Sequence, residues 1–375
     1  MTPPTVLIAP DKFKGSLTAA EVADALADGI LGARPEAEVR RLPLADGGDG
    51  SVHAALAAGF RAEEVGVPGP LGDPAVTAIA WEAGTAVVEA ATTSGLQMIP
   101  EARRDALSAS SLGFGQAVRA AADQGARRIV LALGGSASTD GGMGLLTGLG
   151  WRFLDDAGAQ VPPTGAGLAR VSAVDTADAA DLAGVELIAA GDVLNPLLGQ
   201  RGAAAVYAPQ KGASAQEVRE LEAGLARLVR VLDGVRPGAG QLAGQPSAGA
   251  AGGLGFAAML LGARVVSGAE FFLELLDFAS ACRHADLVIT GEGRIDEQTL
   301  QGKLPAVVAR RAAPVRVEAV VGRSDLASSA APDAGIARIR SLSERTPKDT
   351  AADPLLTARL LREVGREVAA ELPIR

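Results

Sequence analysis

Short apolar runs alternate with longer amphipathic stretches along this 375-residue chain. Val6 to Ala9 is a continuous apolar run of the kind that forms a buried strand. The stretch after it places Leu17, Val22, Leu26 and Ile30 three to five residues apart, which puts them on one side of a helix. The pattern therefore predicts a strand followed by an amphipathic helix.

The same alternation recurs at both ends of the chain. A helix is predicted to open at Thr18, where Glu21 completes a capping box, and another at Asp353-Pro354, with Asp as N-cap. Alternating strands and helices form a parallel, doubly wound sheet. We expect an α/β fold whose first domain is discontinuous and comprises residues 1–70 plus 283–375. Its predicted strands are 6–9, 39–44, 287–290, 315–321 and 336–341.

The middle of the chain, residues 71–282, is predicted to be an inserted second α/β domain. Residues 77–89 have the pattern of a hairpin that turns at Ala83-Gly84, and residues 129–133 and 185–190 that of buried strands. Ser214 and Glu217 form a second capping box, and residues 236–255 are expected to be a glycine-rich loop or clasp. We expect the active site in a cleft between the two domains.

Charge and composition exclude several classes of function. The net charge of −9 and the lack of a basic run argue against nucleic-acid binding. A single cysteine, Cys282, excludes intrachain disulfides and a cysteine-based zinc site. The apolar stretch 254–273 carries Arg264 and Glu270, so a buried helix pair is favoured over a membrane span. We therefore expect a cytoplasmic protein.

The lysines are the first indication of chemistry. The chain has thirty arginines and only five lysines, yet Lys12, Lys14, Lys211 and Lys303 all lie in glycine- or serine-bearing motifs. Lysine is a compact point charge suited to phosphate, whereas arginine is a planar fork. This distribution indicates phosphoryl chemistry on a small molecule.

A second candidate segment is the loop at residues 133–144, after the predicted strand 129–133. It combines three hydroxyls, one carboxylate and five glycines, and such a loop can direct several N–H groups at one anion. It matches neither a Walker A motif nor a dinucleotide-binding fingerprint. The alternative is an elaborate turn without a ligand.

Carboxylates follow several predicted strands. Asp46 and Asp49 lie in an Asp-Gly-rich segment, Asp192 follows strand 185–190, and Glu292 and Asp296 follow strand 287–290. Ligands of open α/β sheets bind at the carboxyl ends of strands, so these groups could hold Mg²⁺ or accept a proton. An ordinary Asp-Gly turn and a surface ion pair are the alternatives. The segment 249–255 would contribute backbone only, and close helix packing explains its glycines equally well.

Together these segments resemble the bacterial class I glycerate kinase family. The resemblance covers nearly the whole chain, in the right order, through residues 9–18, 43–51, 134–142, 192–199, 209–213, 249–255 and 289–296. It implies a flavodoxin-like domain interrupted by a second α/β domain. It also implies ATP- and Mg²⁺-dependent phosphorylation of D-glycerate to 2-phosphoglycerate and ADP, with 3-phosphoglycerate left open. The segment Ser111–Gly115 departs from the family pattern and could alter contacts with substrate or nucleotide.

The motifs and the resemblance lead to one hypothesis for the site. Either Asp46 or Asp140 is expected to act as base, and Lys303 to stabilise charge on the transferring group. Lys12, Lys14 and Ser16 are expected to contact phosphate or the substrate carboxylate. The candidates are, as catalytic residues, Lys14, Asp46, Asp140 and Lys303; as substrate- or phosphate-binding residues, Lys12, Ser16, Gly134, Gly135, Ser136, Ser138, Thr139, Lys211, Gly252 and Gly253; and as metal ligands, Asp192 and Asp296 with Glu292 in support.

Two other classes stay open at this point. A non-catalytic two-domain protein that binds a small carboxylate would bind without Mg²⁺, and a kinase of the same fold could act on another hydroxy acid. A dehydrogenase is disfavoured, because no dinucleotide fingerprint follows any strand. The expected partners are glycerate and ATP, without nucleic acid or membrane. The sequence leaves the oligomeric state open, including a homodimer.

Overall fold

The protein is described here by a computed structural model covering residues 3–300, 302–326 and 332–373. The chain divides into two compact units. The first comprises Met1–Asp46, His53–Gly59 and Ala269–Arg375, and the second comprises Gly47–Val52 and Phe60–Gly268. Both contain parallel strands and helices, so the predicted α/β class is confirmed.

We number the strands and helices along the chain. The strands are β1 (Thr5–Ile8), β2 (Glu38–Arg41), β3 (Arg61–Pro68), β4 (Pro74–Glu82), β5 (Thr85–Glu89), β6 (Arg128–Ala132), β7 (Arg152–Leu154), β8 (Ala173–Asp175), β9 (Glu186–Ala190), β10 (Arg264–Val266), β11 (Leu287–Ile295), β12 (Arg316–Ser324) and β13 (Arg338–Ser341). The α-helices are α1 (Ala19–Ala33), α2 (Ser51–Ala57), α3 (Ala90–Thr93), α4 (Leu112–Asp123), α5 (Met143–Gly148), α6 (Ala203–Tyr207), α7 (Ala215–Val235), α8 (Ala239–Ala243), α9 (Leu254–Leu260), α10 (Gly268–Leu275), α11 (Phe278–Cys282), α12 (Glu297–Leu300), α13 (Leu304–Ala312) and α14 (Pro354–Glu371).

The first unit is built on a five-stranded parallel sheet drawn from both ends of the chain. Its order is β13-β12-β11-β1-β2. Counted along the unit's own strands this is 2-1-3-4-5, the flavodoxin-like order of a doubly wound sheet. Each of the five strands overlaps a run predicted from the sequence, and the central strands β1, β11 and β12 carry the continuous aliphatic runs that are typical of strands covered on both faces.

The predicted helix starts of both units are also observed. Thr18 and Glu21 form the capping box that opens α1, and the Asp353 side chain accepts a hydrogen bond from the N–H of Leu356 at the start of α14. Ser214 and Glu217 form the corresponding box at α7. Local capping chemistry therefore locates these ends correctly.

The second unit contains a six-stranded mixed sheet. Its order is β10-β9-β6-β5-β4-β3, in which the first four strands run parallel and β4 and β3 pair antiparallel. The predicted hairpin turn lies between β4 and β5, where Ala83 and Gly84 have φ values of 48° and 83°. Two successive positive φ values produce the turn that matches the twist of a hairpin. β7 and β8 form a separate antiparallel pair.

The unit boundaries differ from the predicted limits at 70/71 and 282/283. Residues 60–70, predicted for the discontinuous domain, belong to the second unit, because β3 pairs with β4 along its whole length. Residues 269–282 belong to the first unit, where α11 packs against α13. Neither pairing is visible in the composition of these segments.

Two local predictions are corrected. The glycine-rich segment 236–255 contains the helix α8, and the stretch 254–273 holds β10 between α9 and α10 instead of a simple helix pair. Strand β10 has only three residues and is fixed by parallel pairing with β9, a long-range contact. Among the described residues, no helix combines the length and apolarity needed to cross a membrane.

Two glycines allow α1 and α14 to pack backbone against backbone. A Cβ on Gly29 would lie 2.2 Å from the carbonyl oxygen of Arg362, and one on Gly365 would lie 2.4 Å from that of Leu26. Real Cβ atoms do not approach backbone atoms this closely, so a larger residue would push the helices apart. Both helices contribute buried residues to the core of the first unit.

We expect Gly29→Ala to lower the free energy of unfolding by about 1–3 kcal/mol or more, because the new methyl group meets backbone that cannot yield. Gly32→Ala is the matched control on the same helix, since a Cβ there meets nothing within 4 Å. The control should raise the free energy of unfolding by up to about 1 kcal/mol through helix propensity. Urea denaturation followed by circular dichroism measures both, and equal effects would contradict the close helix contact.

Candidate functional site

The carboxyl end of β1 leads into the segment Ala9–Ser16. The N–H of Asp11 donates to the carbonyl of Gly291 at 2.8 Å, which ties this segment to β11. The Asp11 side chain is only 7% exposed. Burial raises its pKa to about 7, although the charge of Lys12 opposes the rise. A buried carboxylate therefore lies at the strand end, at a position that the sequence argument did not single out.

Lys12 lies between two carboxylates. Its Nζ is 3.3 and 3.4 Å from the two oxygens of Asp11 and 3.8 Å from Oδ1 of Asp46. The N–H of Lys12 also donates to Asp11 at 2.7 Å. These contacts hold the ammonium group in place, whereas the side chain of Lys14 is exposed. Of the described hydroxyls near this segment, Ser16 Oγ is shielded from water and has no hydrogen-bond partner.

Glu292, Asp296 and Lys303 form a second group at the end of β11. The hydroxyl of Thr299 donates to Glu292 at 2.8 Å and lies 3.4 Å from Asp296. Lys303 Nζ is also 3.4 Å from Asp296. Burial raises the pKa of Glu292 to about 7; the Thr299 hydrogen bond and Lys303 lower it, and the charges of Asp11 and Asp46 raise it further. The two groups therefore interact electrostatically within the first unit.

Asp140 anchors the loop after β6 in the second unit. It is fully buried, and its Oδ2 accepts hydrogen bonds from the N–H and hydroxyl of Ser111 at 2.8 and 2.7 Å and from the N–H of Gly144 at 3.2 Å. Its Oδ1 accepts from the N–H of Gly142 at 3.0 Å. Burial raises its pKa, and these hydrogen bonds oppose the rise. Both oxygens of Asp140 are thus engaged in holding the loop.

Lys211 is the buried cation of this loop. It is 3% exposed, and its Nζ donates to Ser138 O at 2.5 Å and to Ser136 Oγ at 3.2 Å. Burial lowers its pKa to about 8, while the charge of Asp140 raises it. Lys211 therefore fixes the loop from inside as a positive charge close to the Asp140 carboxylate.

The loop leaves hydroxyl groups without partners. Three buried hydroxyl groups neither donate nor accept a hydrogen bond within the described structure: those of Ser138, Thr139 and the nearby Ser94. A buried polar group without a partner costs about 1–3 kcal/mol. The loop's backbone is more fully used, because the N–H of Gly134 donates to Gly47 O at 3.1 Å. Similarly engaged are the N–H groups of Ala137, Gly141, Gly142 and Gly144.

Gly252 and Gly253 pack directly against this loop. Gly252 has a φ of 72°, and a Cβ there would lie 2.0 Å from Ser138 O. A Cβ on Gly253 would lie 2.5 Å from Gly141 Cα, and the N–H of Gly141 donates to Gly252 O at 3.0 Å. The two glycines therefore allow backbone to approach backbone at the predicted binding loop.

Two further carboxylates lie at strand ends of the second unit. Asp192 follows β9, and its Oδ1 accepts from the N–H of Gly268 at 3.0 Å. Glu89, at the end of β5, is fully buried and accepts from the N–H groups of Gly50 and Val52 at 3.0 and 2.8 Å. Glu89 thus fixes the start of α2.

The structure groups the predicted site residues unit by unit. Lys12, Lys14, Ser16, Asp46, Glu292, Asp296 and Lys303 belong to the first unit, and Gly134, Gly135, Ser136, Ser138, Thr139, Asp140, Asp192, Lys211, Gly252 and Gly253 to the second. Of the predicted metal ligands, Glu292 and Asp296 share Thr299 in the first unit, and Asp192 belongs to the second. In the described ranges, no arrangement of three or more His, Cys, Asp or Glu side chains is preformed for a metal ion.

Four residues of these groups were not identified from the sequence. Asp11 had a usable signal, because it directly follows the predicted strand 6–9 in a lysine-bearing motif. Ser111 lies in the segment that departs from the family pattern, but its hydrogen bond to Asp140 was not foreseen. Glu89 and Thr299 had no signal, since each acts through a partner that only the fold brings near.

Comparisons with known proteins identify the family of the chain. The Glycerate kinase family model matches residues 6–372. A glycerate kinase of Bacillus subtilis (strain 168) is 38% identical over 98% of each chain, and a glycerate 2-kinase of Escherichia coli (strain K12) is 38% identical over 81% of each. A crystal structure from Salmonella typhimurium LT2, provisionally named glycerate kinase 2, aligns over 98% of each chain with a TM-score of 0.81 and 35% identity. From the length of these matches and their level of identity, we conclude that the chain belongs to the glycerate kinase family.

Proposed function

We propose that this protein transfers the γ-phosphoryl group of ATP to D-glycerate in the presence of Mg²⁺, giving 2-phosphoglycerate and ADP. The observation that carries the proposal is the cluster at the carboxyl ends of β1, β2 and β11, where Lys12 contacts Asp11 and Asp46 and the charges of these two carboxylates act on Glu292. Phosphoryl transfer requires cations that stabilise transferring charge and carboxylates that hold a metal or accept a proton. The cluster supplies both kinds of group.

The lysines of the first unit take different roles in this proposal. Lys12 is held by Asp11 and Asp46, so its charge stays at one place, as electrostatic stabilisation of a transition state requires. The exposed Lys14 is free to follow a polyphosphate. Ser16 adds a hydroxyl without a partner, and Lys303 a cation beside Asp296. We assign these four residues to the phosphates.

Glu292 and Asp296 fit a magnesium ion by the chemistry of their donors. Mg²⁺ prefers oxygen ligands and is commonly held by one or two carboxylates plus phosphate oxygens of the substrate. The two carboxylates converge on one hydroxyl, Thr299 Oγ1. When bound, the ion would neutralise phosphate charge and orient the γ-phosphoryl group. Asp192 stays a predicted ligand on the grounds of its position after β9.

The second unit contributes the hydroxyl loop. Ser138 and Thr139 have donor capacity that no group in the described part of the chain uses, and Lys211 supplies a positive charge close to them. Phosphate or carboxylate oxygens would satisfy such donors. We therefore propose that the loop of residues 134–142 binds an anionic part of the substrates through the side-chain hydroxyls of Ser138 and Thr139, since the N–H groups of Gly134, Ala137, Gly141 and Gly142 are engaged within the protein.

The two candidate bases differ in their surroundings. All the hydrogen bonds of Asp140 described above hold the loop, and its side chain is fully buried. The Asp46 side chain is 40% exposed and lies at the strand-end cluster. A general base must come within hydrogen-bond reach of the proton that it accepts. We therefore propose Asp46 as the base for the glycerate hydroxyl and Asp140 as the residue that positions the loop.

The reaction is tested by incubating the protein with ATP, MgCl₂ and D-glycerate and identifying the product by phosphorus NMR. We expect a 2-phosphoglycerate signal that requires all three components. A 3-phosphoglycerate signal would support the kinase activity but show that the other hydroxyl of glycerate faces the γ-phosphoryl group. Turnover only with other hydroxy acids, or without Mg²⁺, would overturn the corresponding part of the proposal.

The assignment of the base predicts different effects for two matched substitutions. Asp46→Asn should lower kcat by about 10²–10⁴-fold with little change in stability, because a general base is lost. Asp140→Asn should lower the free energy of unfolding by about 1–3 kcal/mol, because an amide NH₂ faces buried N–H donors. Steady-state kinetics and urea denaturation measure the two effects. A stable but inactive Asp140→Asn beside an active Asp46→Asn would reverse the assignment.

The raised pKa of Glu292 predicts a pH-dependent metal requirement. Its ordinary pKa of 4.5 becomes about 7 in the folded protein, so Glu292 holds a proton below about pH 7 and is ionised above it. Because Mg²⁺ needs the ionised form, the Mg²⁺ concentration for half-maximal turnover should be about tenfold higher at pH 6 than at pH 8. Glu292→Gln should reduce this ratio. Glu297 is an exposed neighbouring glutamate, and Glu297→Gln should leave this ratio unchanged. The Glu297→Gln variant therefore controls for the titration of ATP itself. The same ratio in both variants would count against Glu292 as a metal ligand.

A further inference from the structure

Arg104 is a half-buried arginine without an acidic partner. Its Nε is shielded from water and has no hydrogen bond among the described residues, and it takes part in none of the ion pairs found there. The neighbouring carboxylate is directed elsewhere, because Asp105 accepts from the N–H groups of Leu107 and Ser108 and from the Ser108 hydroxyl. Shielding a guanidinium without a partner is costly, so such a group is suited to an anion from outside the chain.

The backbone places Arg104 beside the hydroxyl loop of the second unit. A Cβ on Gly212 would lie 2.5 Å from Arg104 O and 3.2 Å from Arg104 Cβ, so this residue packs directly on the Lys211-Gly212 turn. Lys211 in turn bonds to Ser136 and Ser138. Ala137 of the loop packs with Ile99 and Ala109, on either side of Arg104 in sequence. Arg104, Lys211 and the loop thus belong to one local structure.

The shape of the guanidinium indicates which anion it binds. A planar fork can donate two parallel hydrogen bonds to a carboxylate, whereas lysines bind phosphate as point charges. In the proposed function, Lys12, Lys14 and Lys303 are already assigned to phosphates and the hydroxyl loop to an anionic part of the substrates, but no cation is assigned to the carboxylate of the acceptor. We propose that Arg104 binds the carboxylate of the hydroxy-acid acceptor and so selects acids over uncharged alcohols. This inference rests on the proposed function, which supplies the acceptor.

The test compares Arg104→Met with Arg103→Met, because both remove a guanidinium from adjacent positions. Arg103 is exposed and lies 3.8 Å from Asp73, so its loss should change neither kinetics nor stability. For Arg104→Met we expect the KM for D-glycerate to rise on the order of 10- to 100-fold, the range for a charge-assisted hydrogen bond. The KM for ATP should change less than about twofold, since only the acceptor is affected. Arg104→Lys keeps the positive charge but lacks the planar fork, so its KM for D-glycerate should lie between those of the wild type and Arg104→Met.

An uncharged acceptor distinguishes carboxylate binding by Arg104 from a purely structural role of this residue. Glycerol lacks the carboxylate, so any phosphorylation of glycerol should be equally slow in the wild type and in Arg104→Met. In Arg104→Met, the ratio of kcat/KM for glycerate to kcat/KM for glycerol should therefore fall by the same factor as the KM for glycerate rises. An unchanged KM for glycerate would overturn the inference, and a raised KM for ATP instead would show that Arg104 binds a nucleotide phosphate.

Thermal unfolding with added D-glycerate separates this inference from the proposed function. We expect glycerate to raise the unfolding temperature of the wild type and of Arg103→Met but not of Arg104→Met. Such a shift in a wild type that does not turn over glycerate would refute the kinase proposal and leave the Arg104 site standing. An active wild type whose shift persists in Arg104→Met would refute the Arg104 site alone. Neither shift nor turnover in the wild type would refute both.

Discussion

Parallel strand pairing is the constraint on which both groups of candidate residues depend. Because parallel strands end at the same edge of a sheet, the segments that follow them are brought together there. In the first unit this places Asp46 close enough to raise the pKa of Asp11, and places both close enough to raise the pKa of Glu292. In the second unit it places Glu89, the Asp140 loop and Asp192 after three neighbouring strands. The fold thus supplies the position of these residues, and the loops supply their chemistry.

Burial then decides which of these groups can react and which only hold the others. Asp140 and Glu89 are both fully buried, and both accept hydrogen bonds from backbone N–H groups of the segments that they position, with the Ser111 hydroxyl as a further donor to Asp140. Asp46 is partly exposed and faces a lysine. A carboxylate that is saturated by internal donors stabilises a loop, whereas an accessible one can receive a proton. The distinction rests on exposure and partners, so it could not be made from the Asp-Gly motifs that contain both kinds of residue.

Much of the fold could be predicted from local sequence, and its long-range pairings could not. Aliphatic runs located the central strands of the first sheet, and capping boxes located α1 and α7, because these depend on residues close in sequence. The short strand β10 depends on β9, a partner far along the chain, and β3 joins the second unit through its antiparallel pairing with β4. Family resemblance predicted the kinase class, which family membership now confirms over a non-catalytic binding protein. The roles of single residues stay predictions, since no comparison tests them.

The contrast between lysine and arginine shows which binding residues could be identified from the sequence and which could not. Lysines are rare here, so their concentration in glycine-rich motifs stood out, and the structure shows Lys12 and Lys211 in specific contacts. Arginines are abundant and mostly serve in surface ion pairs such as that of Arg103, so no single arginine stands out in the sequence. Arg104 is distinguished only by its surroundings: a shielded Nε, a neighbouring carboxylate engaged elsewhere, and contact with the Lys211-Gly212 turn. If phosphates are bound by point charges and the acceptor carboxylate by a planar fork, then one cation type cannot substitute for the other. The rarity of lysine and the isolation of Arg104 are then two consequences of the same division of binding roles.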